Sequence, residues 1–183
     1  MTPKSSPVQV PGTSWTEIDT IGNHTLARKT DNTLWIFGDN NHGQVGNGLQ
    51  CGTGFRASSP IQVPGNSWSD IGGGSTHSAA RKTDGTLWVW GQGAFGQLGN
   101  NNQASICSPV QIPGTSWNDI SAGGYFNLAR KTDGTLWSWG LYSSGRLGIN
   151  SALSRSSPIQ IPGTSWNDIL AGDGIAMARK CVP

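Results

Sequence analysis

The residues best suited to chemistry are three histidines, three cysteines and ten carboxylates. These side chains bind metals or transfer protons where a fold brings them together. No two histidines or cysteines are close enough in sequence to form a ligand pair, and no Cys-x-x-Cys spacing occurs. His24 and His77 occupy equivalent places in an internal repeat, which favours hydrogen-bonded packing over chemistry. We therefore predict neither a metal site nor an acid–base pair.

Two other patterns associated with catalysis are incomplete. The serines show no Gly-x-Ser-x-Gly elbow and no nucleophile–base arrangement. The run Gly43-Gln-Val-Gly-Asn-Gly48 is rich in glycine, but the lysine and helix of a phosphate-binding loop do not follow it. We predict that the chain is not an enzyme and binds no cofactor.

The three cysteines, Cys51, Cys107 and Cys181, cannot all pair within one chain. We expect free thiols in a reducing compartment. A bridge between Cys51 and Cys107, which occupy comparable linkers, is the alternative.

Four basic pairs contain eight of the twelve lysines and arginines: Arg28-Lys29, Arg81-Lys82, Arg130-Lys131 and Arg179-Lys180. A basic ring that contacts phosphate is one interpretation. However, each repeat also carries an acid two residues after the tryptophan that recurs at the same place in every unit: Glu17, Asp70, Asp119 and Asp168. Periodic charges of both signs favour a ladder of ion pairs between strands. We expect no specific nucleic-acid binding.

Composition limits the elements that must position these residues. The chain has 183 residues, enough for one domain, and only 12% of them are charged. A surface poor in charge but rich in glycine, serine and threonine suits turn-rich β structure. The net charge of +2 by itself predicts binding to neither nucleic acid nor membranes. We see no signal peptide or membrane-spanning segment, so we expect a soluble protein of unassigned compartment, cytoplasmic or within a particle.

The sequence repeats with a period of about 50 residues. The phrase Pro7-Val-Gln-Val-Pro-Gly-Thr-Ser-Trp15 returns, with small changes, to end at Trp68, Trp117 and Trp166. Three copies continue into a five-residue stretch that begins with Leu-Trp and ends in glycine. The fourth copy stops at Cys181-Val-Pro183. We divide the single domain, residues 1–183, into units 7–59, 60–108, 109–157 and a truncated 158–183.

Each full unit predicts four short strands. The Pro-Val-Gln-Val phrase suits an edge strand, and Trp-x-Asp-Ile leads into glycine-rich backbone where neighbouring units crowd together. A third strand ends at the basic pair. Asp84-Gly85 and Asp133-Gly134 match a two-residue hairpin turn with positive φ. A last strand, Leu-Trp-x-Trp, is apolar on both faces. We predict an all-β fold, a partial or oligomer-completed β-propeller of four-stranded antiparallel blades, with a β-solenoid as the alternative.

These motifs resemble the repeat of the regulator of chromosome condensation family. The resemblance rests on Trp-x-Asp-Ile, the glycine-rich stretch, His24 or His77, the Asp-Gly hairpin, Leu-Trp-x-Trp-Gly and Gly96-Gln-Leu-Gly99. It implies a propeller, usually of seven blades, whose members act through protein binding and include exchange factors for a small GTPase. The later copies depart from the pattern, because Phe126 and Ile175 replace the histidines.

Residues that break the repeat are the better binding candidates, because a scaffold keeps its common positions for folding. Aromatic residues and arginines anchor protein interfaces. In and near the divergent linkers we select seven partner-binding candidates: Phe55, Arg56, Tyr125, Phe126, Tyr142, Arg146 and Arg155.

The two chain ends predict assembly. Three blades and the first hairpin of a fourth leave sheet edges exposed, while Pro7–Val10 is a spare outer strand. We expect the chain to self-associate or to dock onto another subunit through its ends. We predict a non-enzymatic protein-binding or assembly module, such as a surface or virion component. A guanine-nucleotide exchange or chromatin-associated factor is the alternative.

Overall fold

The computed structural model describes residues 6–48, 52 and 54–180. This part of the chain contains fourteen strands and no helix. Three antiparallel sheets have four strands each, and a two-stranded hairpin follows them. The first sheet is formed by β1 (Trp15–Asp19), β2 (His24–Lys29), β3 (Leu34–Asp39) and β4 (Arg56–Gln62). The second is formed by β5 (Trp68–Gly73), β6 (His77–Lys82), β7 (Leu87–Gly91) and β8 (Ile106–Gln111). The third is formed by β9 (Trp117–Ala122), β10 (Phe126–Lys131), β11 (Leu136–Gly140) and β12 (Arg155–Ile161), and the hairpin by β13 (Trp166–Ala171) and β14 (Ala176–Lys180).

The sheets are consecutive propeller blades. Contacts between neighbouring sheets join their first strands, β1 to β5, β5 to β9 and β9 to β13, which places these strands innermost. The predicted three blades and the hairpin of a fourth are therefore confirmed. Each fourth strand comes from the start of the next sequence unit: β4, for example, contains Pro60 and pairs with β3.

The glycine-rich stretches lie where the blades come closest. A Cβ on Gly72 would stand 3.0 Å from the backbone nitrogen of Ala122 in the next sheet. A side chain there would push two blades apart. The predicted crowding is confirmed.

The Asp-Gly turns differ from the prediction. Gly85 has φ +78°, but Asp84 is not among the residues with positive φ. Lys82 N donates to Thr86 O at 2.9 Å, so three residues form the turn, as in a hairpin with a glycine bulge. The Asp84 carboxylate accepts from the backbone N–H of Thr86 at 2.9 Å and from its hydroxyl at 2.6 Å. These bonds hold the aspartate in the right-handed region, so the two-residue turn was wrong.

Tryptophans fill the space between sheets. Trp90 and Trp139 are fully buried, as expected for residues on a strand that is apolar on both faces. Trp88 and Trp137 are half-buried. Both half-buried rings lie at the hairpin end of their strands, where the sheets stop and solvent begins.

Neither end of the described chain belongs to a four-stranded sheet. Pro7–Val10 forms no strand, and Val8 is 66% exposed. β14 pairs with β13 alone. Most side chains of β14 are accordingly open to solvent, with Met177 53% exposed.

Candidate protein-interaction surface

One end of the propeller carries the longest loops. In an antiparallel sheet, the turn between the first and second strands and the loop between the third and fourth leave at the same end. The loops between β3 and β4, β7 and β8, and β11 and β12 therefore lie beside the short glycine-rich turns. We call this end the loop face.

Backbone carbonyls anchor the loop face to the next sheet. The carbonyl oxygen of Gln44 accepts from Trp90 Nε1 at 2.9 Å and from Ser78 Oγ at 2.9 Å. The carbonyl of Gln97 repeats this arrangement, with Trp139 Nε1 at 3.0 Å and Asn127 Nδ2 at 2.8 Å. These long-range hydrogen bonds hold the loops rigidly against the next sheet. The local sequence does not predict them.

The two repeat histidines have packing roles, as their equivalent positions predict. His24 Nε2 lies 2.9 Å from Ser78 Oγ, and His77 Nε2 lies 3.1 Å from Asn127 Oδ1. Burial lowers the pKa of each histidine to about 4. Both rings are therefore neutral at physiological pH and join one sheet to the next.

The basic pairs form the ladder that the charge pattern predicts. Arginine–acid distances are 2.8 Å for Arg28–Glu17, 3.8 Å for Arg81–Asp70, 3.5 Å for Arg130–Asp119 and 3.3 Å for Arg179–Asp168. The lysines have a different partner. Lys82 Nζ lies 4.9 Å from the ring centre of Trp68 and 4.4 Å from that of Trp88. Lys29 and Lys131 repeat the arrangement. These cations stabilise the blades through contacts with aromatic faces.

The acids of the ladder line the innermost strands and influence one another. Burial, the Asp119 charge and the Glu17 charge raise the pKa of Asp70 to about 7, although the Arg81 charge and a bond from Ile120 N oppose the shift. A carboxyl group of this kind is half-protonated near neutral pH. Its charge destabilises the fold as it ionises.

We expect Asp70→Asn to gain stability relative to the wild type as the pH rises from 4 to 7. The folded pKa is raised, so over this range the folded wild type binds more protons than the unfolded chain and loses stability with rising pH. The gain should be on the order of 2 kcal/mol, allowing for solvent screening. Urea denaturation at several pH values measures it. Asp133→Asn is the control, because hydrogen bonds from Thr135 lower the pKa of Asp133 and its pH dependence has the opposite sign.

The structure separates the seven candidates. Phe126 is fully buried and belongs to a core cluster, so it is wrong as a partner contact. It occupies the buried position of His24 and His77. Arg56 is the most open, with 79% of its side chain exposed and its Nε 3.9 Å from Asp39. Phe55 is half-buried beside it.

The other candidates surround the last complete blade. Tyr142 packs partly against the core, and Arg155 donates to Ser151 Oγ at 3.2 Å. Arg146 donates from Nε to Ser143 O at 3.0 Å, and its guanidinium carbon stands 5.6 Å from the Phe126 ring centre.

Tyr125 forms an aromatic pair with a residue that the sequence analysis missed. Its ring centre lies 5.3 Å from that of Phe95, edge to face. Phe95 is 38% exposed and stands in the β7–β8 loop, whereas Tyr125 stands in the β9–β10 turn. The pair therefore bridges two blades on the loop face. A signal was available, because His42, Phe95 and Ser144 occupy the same repeat position and differ completely.

Cys107 corrects the expectation of free thiols, because it is disulfide-bonded. Cys51 and Cys181 lie outside the described residues. A disulfide is typical of an oxidising environment.

In the described ranges, histidines, cysteines and carboxylates form no group of three that could hold a metal ion. Over the same ranges, no helix has the length and apolar character needed to cross a membrane.

Comparisons with known proteins identify the repeat. A model of the regulator of chromosome condensation (RCC1) repeat matches residues 84–130 and 133–179. A second model of this repeat matches residues 22–44, 68–97 and 117–146. Curated relatives include the probable E3 ubiquitin-protein ligase HERC4 of Rattus norvegicus, 30% identical over 83 residues, which are 44% of this chain. The X-linked retinitis pigmentosa GTPase regulator of Mus musculus is 29% identical over 85 residues, or 46% of this chain. The matches span 8% of the length of each of these relatives.

Solved structures agree on the fold. Prp20p from Saccharomyces cerevisiae, described with its binding properties to Gsp1p and histones, superposes with a TM-score of 0.81 at 20% identity. The alignment covers 92% of this chain and 44% of Prp20p. Human WBSCR16 superposes with a TM-score of 0.82 at 22% identity, over 97% of this chain and 49% of the other. At these identities the similarity establishes a shared propeller architecture.

Proposed function

We propose that this chain, which belongs to the regulator of chromosome condensation (RCC1) repeat family, is a non-enzymatic β-propeller module that binds a protein through its loop face. The observation that carries this function is the Phe95–Tyr125 pair, which is partly exposed and bridges two rigid blades. Aromatic residues held by a fixed scaffold contribute large contact areas at low entropic cost. Arg56 supplies an exposed cation on the same end.

Several features favour protein over nucleic acid as the ligand. The arginines of the basic pairs face acids, and three of the four lysines each lie over two indole rings. These groups are therefore engaged within the blades. We expect no specific nucleic-acid affinity from them. A surface or virion role stays a prediction.

We expect the double variant Phe95→Ala, Tyr125→Ala to lose its protein partner while keeping its fold. Partners captured from source-cell extract by the wild type, and confirmed with purified components, provide the assay. A loss of at least tenfold in affinity is expected, because the central aromatic contacts of an interface carry most of its binding energy.

Ile18→Ala is the matched control, since Ile18 is 66% exposed on β1 and lies outside the loop face. Partners retained equally by the double variant and the control would contradict a loop-face interface. Circular dichroism of both variants reports whether the sheets remain intact.

Nucleotide exchange is the second candidate. Its support is the structural similarity to Prp20p, which is described with binding to Gsp1p. The chain spans less than half of Prp20p, so exchange activity here is a proposal. Accelerated release of labelled GDP from Gsp1p or a related GTPase would establish it over the simple binding module.

Docking through the chain ends stays a prediction. Its structural basis is the free edge of β14 and the unpaired Pro7–Val10 segment.

A further inference from the structure

A groove of about 460 Å³ opens beside β14, in the incomplete fourth blade. The loop of the third blade contributes Gly145, Arg146 and Gly148 to its lining, and the hairpin contributes Trp166 and Ala176. Within the described chain, β14 pairs on one side only. Its other edge therefore offers backbone hydrogen-bonding groups to an added strand.

At the two equivalent positions between complete blades, a tryptophan ring occupies the space that is open in this groove. Trp90 packs against Gly46, and Trp139 packs against Gly99 so closely that a Cβ on either glycine would collide with the indole. Each indole nitrogen donates to a carbonyl on the preceding blade, that of Gln44 or Gln97.

The repeat provides the third set of these positions at the groove. Gly148 corresponds to Gly46 and Gly99, and Arg146 corresponds to the two glutamines. The atoms nearest to a Cβ on Gly148 would belong to Ile161, at 3.4 Å or more. The space that an indole occupies in the other blades is therefore open here.

Lys180 indicates a place for a second indole. In each complete blade the corresponding lysine lies over two tryptophan rings, whereas Lys180 lies over Trp166 alone among the described residues, at 4.4 Å. In the third blade the second ring belongs to Trp137, which pairs with Ala129. The residue corresponding to Ala129 is Ala178, on the free edge of β14.

We infer that this groove binds an extended polypeptide segment that carries the pattern Leu-Trp-x-Trp-Gly. The segment adds to β14 as an antiparallel strand. Its second tryptophan lies opposite Ala176, against Gly148, and donates to the Arg146 carbonyl. Its first tryptophan lies opposite Ala178, over Lys180. The inference rests on the proposed protein-binding function and names the chemistry of one partner.

The amino-terminal segment of a second copy does not meet this description. In the complete sheets the strand that contains Pro-x-Gln pairs with the strand that begins with Leu-Trp, not with the strand that ends in Arg-Lys. Pro7–Val10 also contains no tryptophan. End-to-end docking therefore requires the tryptophan-bearing strand to be in place first.

A synthetic peptide copying residues 132–141 tests the inference, because it contains Trp137 and Trp139. Calorimetric titration into the 183-residue protein should show one-to-one, saturable binding. Hydrogen exchange should slow at the amides of residues 175–180. The peptide with Trp139→Ala should bind at least tenfold more weakly. The peptide with Asp133→Asn is the matched control and should bind like the parent, because Asp133 belongs to the turn that precedes the strand.

Protein variants test the position. Ala176→Phe places bulk in the groove at a half-buried site and should weaken peptide binding at least tenfold. Ile18→Phe adds similar bulk at an exposed site on β1 and should leave it unchanged. Circular dichroism checks that both variants are folded.

Three outcomes would overturn the inference: no peptide binding, equal binding of the parent peptide and its Trp139→Ala variant, or exchange protection away from β14. A dimer that the peptide does not dissociate, but that dissociates when residues 1–10 are removed, would show that a second copy fills the groove. That result would also overturn the inference. The loop-face variant Phe95→Ala, Tyr125→Ala should still bind the peptide. Failure of one function is thus distinguishable from failure of the other.

Discussion

Replacing Trp90 or Trp139 with alanine should lower the free energy of unfolding by about 3 to 5 kcal/mol. Both rings are fully buried between neighbouring blades. Trp90 lies 6.1 Å from Trp68, and Trp139 lies 6.2 Å from Trp117, measured between ring centres. Removal of either ring leaves a cavity between two rigid sheets, and these cannot collapse into it.

The lost indole N–H adds a smaller cost. Trp90→Phe keeps most of the buried apolar surface but removes the donor to the Gln44 carbonyl. Ser78 Oγ still donates to that carbonyl, so the oxygen keeps one partner. We expect a loss of about 1 to 2 kcal/mol for Trp90→Phe, well below that for alanine.

Trp88→Ala is the matched control on the same strand. Trp88 is half-buried, and one of its faces meets the Lys82 ammonium group. Its removal should cost less than removal of Trp90, because water can enter the space that it leaves. Guanidinium denaturation, with slopes compared as well as midpoints, measures all four variants. Equal losses for Trp88→Ala and Trp90→Ala would show that burial between blades does not control stability here.

Sequence reasoning predicts the repeated parts of this fold best. A fixed period places Trp68 and Trp117 in equivalent positions, so one unit predicts the others. The arginine–acid ladder follows in the same way, because register is fixed once the strands pair. The lysine–tryptophan contacts were missed, since they join residues that are adjacent only across a hairpin.

The candidate site was less predictable. Phe126 looks like a loop aromatic in sequence, but the closing of the next blade buries it. Phe95 directly precedes a glycine motif that recurs in every full unit, so the variation at its own position is easily overlooked. The aspartate of the Asp-Gly turn differs for a local reason, because its carboxylate bonds to Thr86 and changes the turn type. In each case a contact beyond the repeat pattern decides the outcome.

Acidification from pH 7 to pH 4 should destabilise the protein through His24 and His77. The pKa of both rings is lowered to about 4, mainly by burial, and for His24 the charge of the neighbouring His77 contributes to this shift. An unfolded histidine has a pKa near 6.5. Between these values the unfolded chain binds protons that the folded chain does not, so stability is present above pH 6.5 and lost as the pH falls.

The expected loss is roughly 3 kcal/mol for His77 over this range, since one pKa unit corresponds to about 1.4 kcal/mol. Asp70 acts in the opposite direction, because its raised pKa gives stability at low pH. The wild-type slope therefore underestimates the histidine effect. Variants that remove one histidine at a time resolve it.

His24→Phe is the most informative substitution. Phenylalanine already occupies the equivalent position at residue 126, where it is fully buried in the same kind of site. The replacement leaves Ser78 Oγ bonded to the Gln44 carbonyl, so no donor is stranded. Stability of this variant should fall less steeply between pH 7 and pH 4 than that of the wild type.

Thr25→Val is the matched control, because it changes the same strand without removing a titratable group. Its pH slope should equal that of the wild type. Denaturation curves at half-unit pH intervals provide the comparison. An unchanged slope in His24→Phe would mean that the ring takes up a proton in the folded protein over this pH range. The buried contact between the first two blades would then be charged.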